Sequence, residues 1–414
     1  MSVFDIIAIL VTVAALLSYV NYRWIRMPTA IGLMFIALVL SLSLIGLGKL
    51  GFGVEEKAAA ILVQVDFSAT LLQGMLSYLL FAGALHVNLA DLKQQMRVVG
   101  VLATVGVVGS TFIVGTLSWW LFGLIGLELG YIWCLVFGAL ITPTDPVAVL
   151  SILKSAKAPK SLETKIVGES LFNDGMAVVV FLALLGIATG EHQLSAEYIV
   201  KLFLQEAVGG AVFGLVIGWL AFLMIRTVDN YQVEILLTLA LVTGGYALAA
   251  HLHLCAPIAI VVAGLMIGNT GRSLGMSART REHLDSFWEL VDEILNAVLF
   301  VLIGMEMLVV TLTSKALVAG IIAIGIVLLA RFLCVAGCVK LLRRLRIFSR
   351  GAIPIITWAG IRGGISIALV LALPFGPTRD ALLTVTYTVV VFSILVQGLT
   401  IRRLVTHFQD ASQS

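Results

Sequence analysis

Positions 168–175 read Gly-Glu-Ser-Leu-Phe-Asn-Asp-Gly. On a helix, Ser170, Asn173 and Asp174 are spaced i, i+3 and i+4, so they share one face. That face offers a hydroxyl, an amide oxygen and a carboxylate, the oxygen donors that a hard cation such as Na⁺ takes. Glu169 stands five residues before Asp174, about 140° around the helix, and is badly placed to ligate the same ion. Upstream, the chain reads Thr142-Pro143-Thr144-Asp145-Pro146, a second carboxylate between two prolines. Downstream, it reads Gly360-Ile361-Arg362-Gly363-Gly364, an arginine among glycines. A buried glutamate needs a partner, and Arg362 is the expected one, making Glu169–Arg362 a structural ion pair. For Asp174 two readings stand: a site that binds a cation or a proton, or a second ion pair with Arg331.

The surroundings make these charges unusual. Of 414 residues, 60% are hydrophobic and only 12% charged, about half the share of a soluble domain. A soluble fold of this size cannot hide so much apolar surface, so the solvent is lipid. That excludes a disordered chain and almost any soluble enzyme. The net charge of +3 gives no nucleic-acid signal.

A membrane helix needs about 20 mostly apolar residues. Thirteen runs qualify: 3–21, 29–47, 68–88, 98–124, 130–152, 166–188, 199–225, 233–251, 254–270, 284–308, 316–340, 351–374 and 380–401. The first is read as a membrane span and not a cleaved signal peptide, because no basic segment precedes it and Asp5 interrupts it. With the N-terminus outside, nineteen Lys and Arg fall in cytoplasmic loops and the tail, against five in outer loops. That asymmetry predicts an external N-terminus and a cytoplasmic C-terminus. The two remaining basic residues of the 26, Arg331 and Arg362, lie inside runs, as do Asp145, Glu169 and Asp174. Ionisable groups at that depth are costly and mark function by default.

The prolines of the fifth run and the glycines of the twelfth predict two helices that unwind in mid-membrane. The two runs cross in opposite directions. The chain therefore reads as all-α, with two inverted six-helix repeats, 1–190 and 229–405, a linker span in 191–228 and a short cytoplasmic tail, 406–414. Broken helices that meet at the midplane are where a secondary transporter of this kind holds its ion.

The Thr-Asp-Pro of 144–146, the Glu-Ser-Leu-Phe-Asn-Asp-Gly of 169–175 and the Gly-Ile-Arg-Gly-Gly of 360–364 together resemble bacterial NhaP-type sodium/proton antiporters. These belong to the cation/proton antiporter-1 family, which includes the animal Na⁺/H⁺ exchangers. The resemblance runs over essentially the whole chain. It implies an NhaA-like fold, and a homodimer built from a dimerisation domain and a mobile six-helix core. It implies that Asp174 binds the ion and the proton, with Ser170 and Thr144 near the ion, Thr144 through its main chain. It further implies that Asn173 marks an electroneutral exchanger, that Asp145 sits at the helix crossover, and that Glu169 and Arg362 form a buried pair. Arg331 matches a recurrent arginine of unassigned role. One departure concerns the third run. Some relatives carry a carboxylate there, whereas Leu79-Leu80-Phe81 is followed here by Ala82-Gly83-Ala84.

The expected activity is exchange of Na⁺, or of Li⁺ or K⁺, for H⁺ by competition at Asp174, one for one, in the bacterial inner membrane. No resident cofactor and no nucleic-acid partner are expected; the partners are lipid, the transported ions and a second copy. The alternatives are a K⁺/H⁺ antiporter, a cation-coupled solute symporter and, distantly, an intramembrane serine protease using Ser366 of Gly364-Ile365-Ser366-Ile367-Ala368 with His251 as base. Cys134, Cys255, Cys334 and Cys338 read as small core hydrophobes. The Gly210-x-x-x-Gly214-x-x-x-Gly218 stripe reads as a helix-packing face. His86, His251 and His253 read as packing residues, and the Lys154–Lys165 cluster as a solvated topology signal.

Overall fold

The computed structural model describes residues 3–50, 67–145, 149–150, 153, 159–191, 195–310, 313–342 and 351–413. Every one of the thirteen apolar runs carries helix. Eight of them are α1 Phe4–Ile25, α2 Thr29–Gly48, α3 Phe67–Leu85, α4 Leu89–Leu124, α6 Lys160–Ala188, α7 Glu197–Ile225, α8 Tyr231–His251 and α9 Ala256–Leu274. The fifth run gives α5, Tyr131–Leu140. The tenth gives α10, Ala278–Met305, and the eleventh gives α11, Ser314–Leu342. The twelfth is split into α12, Ala352–Trp358, and α13, Gly364–Leu371. The thirteenth gives α14, Pro377–Phe408. Among the described residues, ten of these helices are long and apolar enough to cross a membrane. The exceptions are α5, α12 and α13, each too short, and α10, which carries Asp285, Glu289, Asp292 and Glu293.

Several helices begin earlier than hydropathy alone suggests. α4 starts at Leu89 because Asn88 caps it: its Oδ1 accepts the Ala90 and Asp91 N–H groups. Lys93 and Arg97 therefore lie on a helix. α6 likewise starts at Lys160, and Lys165, expected on a solvated loop, is buried at 4% exposure on its second turn. Hydropathy averages over a window, so a charged first turn hides a helix start. Lys154 and Lys157 of that cluster lie outside the described residues.

The helices pack as two sets. By their contacts, α4, α5, α6, α11, α12, α13 and α14 form one set, and α1, α2, α3, α7, α8, α9 and α10 form the other. The sets meet where α6 packs on α9, and where α13 packs on α3 and α10. Large apolar residues on the outer helix faces, such as Leu215, Trp219 and Leu236, are exposed, as a lipid-facing surface requires.

The glycine stripe of α7 is a packing face. A Cβ on Gly210 would come within 2.7 Å of the Cys255 carbonyl oxygen, and one on Gly214 would overlap that of Ala259. Without a hydrophobic driving force between helices in lipid, such close backbone approach is what holds α7 to α9. Gly214→Leu is expected to destabilise the protein by about 1–3 kcal/mol, as overpacking does. Thermal unfolding of the detergent-purified protein checks this; an unchanged melting point would show that the stripe does not carry the α7–α9 contact.

Candidate ion-exchange site

The prolines and glycines break the two helices as their chemistry demands. α5 ends at Leu140, and the chain runs non-helical through Thr142–Asp145. α12 ends at Trp358, and α13 begins at Gly364. The two breaks cross: the Asp145 N–H donates to the Ile361 carbonyl at 2.7 Å. Glycine makes this approach possible, because a Cβ on Gly363 would come within 2.6 Å of Asp145 Oδ2.

Side chains satisfy the freed backbone of the first break. The Arg362 guanidinium donates from Nη1 to the carbonyls of Thr142 and Pro143, the latter at 3.3 Å. Ser170 Oγ donates to the Thr144 carbonyl. Asn173 takes Thr144 from both sides, its Nδ2 donating to Thr144 Oγ1 at 2.8 Å and its Oδ1 accepting the Thr144 N–H at 3.5 Å. Thr144 Oγ1 in turn donates to Ser170 Oγ at 3.3 Å. Ser170, Asn173 and Thr144 are thus brought together, as one helix face opposite one break. All three are buried.

Asp174, on the same face of α6, makes none of these bonds. It is 5% exposed, and its Oδ1 is buried with no hydrogen-bond partner among the described residues. Asp145 lies within electrostatic reach of it. The structure therefore separates two tasks that the sequence groups together: Ser170 and Asn173 hold the break, and the Asp174 carboxylate is left with an oxygen to offer.

The pairing of the buried charges differs from expectation. Glu169 is not paired with Arg362. Arg331 of α11 grips it with both terminal nitrogens, Nη1 to Oε1 and Nη2 to Oε2, the second at 2.9 Å. Arg331 Nη2 also reaches the Ile356 carbonyl of α12 at 3.2 Å. The reason is that Arg362 is already drawn to the orphan carbonyls past the end of α5, where the helix dipole favours a cation. The two-pronged fork of Arg331 suits the remaining carboxylate. Arg331 accordingly has a role, and the Asp174–Arg331 pair does not form. Gly360 admits this arginine, since a Cβ there would come within 2.8 Å of Arg331 Nε.

These features match a known family. A model of the transmembrane sodium/hydrogen exchanger matches residues 10–407. The chain belongs to the sodium/hydrogen exchanger family. This exchanger-family chain is 52% identical over 406 residues to the Na⁺/H⁺ antiporter NhaP of Pseudomonas aeruginosa, covering 97% of this chain and 96% of that one. It is 35% identical to the Na⁺/H⁺ antiporter NhaH of Halobacillus dabanensis, over 92% of each chain. Its fold is that of the sodium proton antiporter MjNhaP1 from Methanocaldococcus jannaschii, with a TM-score of 0.75 at 18% identity over 98% of this chain and 99% of that one.

Sequence reasoning missed several site residues of this exchanger. Ser393 and Gln397 of α14 brace the second break, and Trp358 Nε1 donates to Thr400 Oγ1 at 2.8 Å. Their signal was a buried polar stripe in an apolar run, overlooked by counting charges alone. The serine protease reading loses its geometry: Ser366 Oγ is buried with no hydrogen-bond partner among the described residues, and His251 is exposed.

Removing one member of the Glu169–Arg331 pair strands the other in a low-dielectric interior. Glu169→Ala or Arg331→Ala should each cost about 3–5 kcal/mol, and Glu169→Leu with Arg331→Met should recover much of that loss. Thermal unfolding of the single and double variants checks it. A double variant as unstable as the sum of the singles would contradict the pairing.

Proposed function

We propose that this protein exchanges a monovalent cation, Na⁺ in the first place, for H⁺, by competition at the single carboxylate of Asp174. The observation that carries the reading is the buried, unpartnered Asp174 oxygen beside the crossing of two broken helices, in a member of this family. The curated relatives named above are Na⁺/H⁺ antiporters, which supports the same exchange here.

The mechanism follows from electrostatics. A carboxylate charge in the membrane interior costs several kcal/mol unless it is neutralised. A bound proton or a bound Na⁺ neutralises it equally, so either loaded form can cross and the empty form cannot. One carboxylate then exchanges one cation for one proton without net charge. The Thr144 carbonyl has a second lone pair beyond the one that Ser170 uses, and in this reading that oxygen joins Asp174 in holding the cation. Ser170 and Asn173 act by fixing that carbonyl.

In this reading α4–α6 and α11–α14 form the moving body, carrying the site past the other helices. The repeats 1–190 and 229–405 are related by inversion about the linker span in 191–228, with the tail 406–414 in the cytoplasm. The N-terminus lies outside, the protein sits in the bacterial inner membrane, and it works as a homodimer. K⁺ is the rival cation, favoured by one observation. The stretch Ala82-Gly83-Ala84 of α3 offers no side-chain oxygen, and a Cβ on Gly83 would lie 3.8 Å from the apolar Leu171 side chain of α6. A site with fewer fixed ligands discriminates less by size.

Pulses of Na⁺, Li⁺ or K⁺ on everted vesicles, read as proton efflux, test both cations. Na⁺ should drive efflux, Asp174→Asn should abolish it, and the rate should not respond to an imposed membrane potential. Efflux at the wild-type rate in Asp174→Asn would overturn the site, and a potential-dependent rate would overturn the one-for-one stoichiometry. Because protons compete for the site, the apparent KM for Na⁺ should rise as pH falls, approaching tenfold per pH unit on the acidic side of the site's titration. A KM independent of pH would contradict competition.

A further inference from the structure

Exchange at Asp174 leaves two polar side chains of α14 without a task. Ser393 and Gln397 are 1% and 3% exposed, at the two ends of a π-helical turn, Ser393–Gln397. Polar groups this deep are costly unless fully bonded, and π turns within α-helices concentrate at functional sites.

Their bonds form a continuous chain. The Arg362 N–H donates to Ser393 Oγ at 2.8 Å. Ser393 Oγ donates to Gln397 Oε1 at 2.5 Å. Gln397 Nε2 donates to the Trp358 carbonyl at 3.1 Å. Trp358 closes α12, and Arg362 lies just before α13. The pair therefore ties together the two lips of the second break. Arg362 continues the chain, because its guanidinium holds the Thr142 and Pro143 carbonyls of the first break. The next residue is Thr144, whose carbonyl faces Ser170.

We propose that Ser393 and Gln397 are positioning residues for the exchange, acting through Arg362 to set the geometry of the first break and hence cation affinity at the site. This rests on the exchange reading above. Neither side chain touches the ion; each removes freedom from the backbone that presents Arg362, and Arg362 in turn holds the break that carries Thr144. Displacements well under an ångström are enough, since a cation site works only when its oxygens are held at fixed distances.

The test uses full-length protein in everted vesicles, with Na⁺ pulses read as proton efflux and folding checked by thermal unfolding. Ser393→Ala and Gln397→Met should each raise the apparent KM for Na⁺ about five- to tenfold, the loss of one buried hydrogen bond, with Vmax within about twofold. Ser393→Thr, which keeps the hydroxyl, should restore the wild-type KM. Because the two act in series, the double variant should be no worse than the worse single one. Thr406→Val, which removes only a helix-internal hydrogen bond near the end of the same helix, should leave KM unchanged. A wild-type KM in folded Ser393→Ala and Gln397→Met, an equal rise in Thr406→Val, or failure of both variants to fold would overturn the proposal. Absence of Na⁺-driven efflux from the wild-type protein would instead overturn the exchange reading on which it stands.

Discussion

Unpaired backbone at membrane depth is the constraint on which the rest depends. A helix hides its own polar groups from lipid, and a broken helix exposes them. This protein breaks two helices at one level and must find a partner for each freed group. Among the described residues, Arg362 takes Thr142 and Pro143, Ser170 and Asn173 take Thr144, Asp145 and Ile361 take each other, and Gln397 and Ser393 take Trp358 and Arg362. The buried Glu169–Arg331 pair adds a further clamp, since Arg331 also holds the Ile356 carbonyl. The polar residues around the crossing are first of all a way to make a break affordable in lipid.

That constraint also underlies the proposal that a single carboxylate does the exchange. With so many neighbours committed to the backbone, Asp174 stands apart, with an oxygen that finds no hydrogen-bond partner among the described residues. Among those residues its charge has no ion pair comparable to the one Arg331 supplies to Glu169. It must therefore be neutralised by something that comes and goes, and protons and small cations are the candidates the membrane offers. Two carboxylates five residues apart on one helix are thus assigned opposite tasks by their partners.

Much of this was legible in the sequence. Every apolar run became helix, the two breaks fell at Thr142–Asp145 and around Gly360–Gly363, and Ser170, Asn173 and Thr144 came together. Those features are local: proline, glycine and i, i+3, i+4 spacing fix them. The partner of Glu169 was not legible. It depends on how α11 and α12 are rotated against α6, and neither spacing nor composition encodes a rotation between distant helices. The starts of α4 and α6 were missed for another reason, because Asn88 and Lys160 open helices with charged turns that a hydropathy window discards. Ser393 and Gln397 escaped because only formal charges were weighed at depth, although an uncharged amide in lipid is also a signal.

The central claim is that one site binds either a cation or a proton. Titrating Na⁺ into the purified protein in weakly buffered solution, near the pH where the site is half protonated, measures both at once, as heat and as proton release. The account predicts that Na⁺ binding releases protons in wild type, approaching one per ion at lower pH, and that Asp174→Asn shows neither. Saturable Na⁺ binding without proton release, or release that survives in Asp174→Asn, would contradict it.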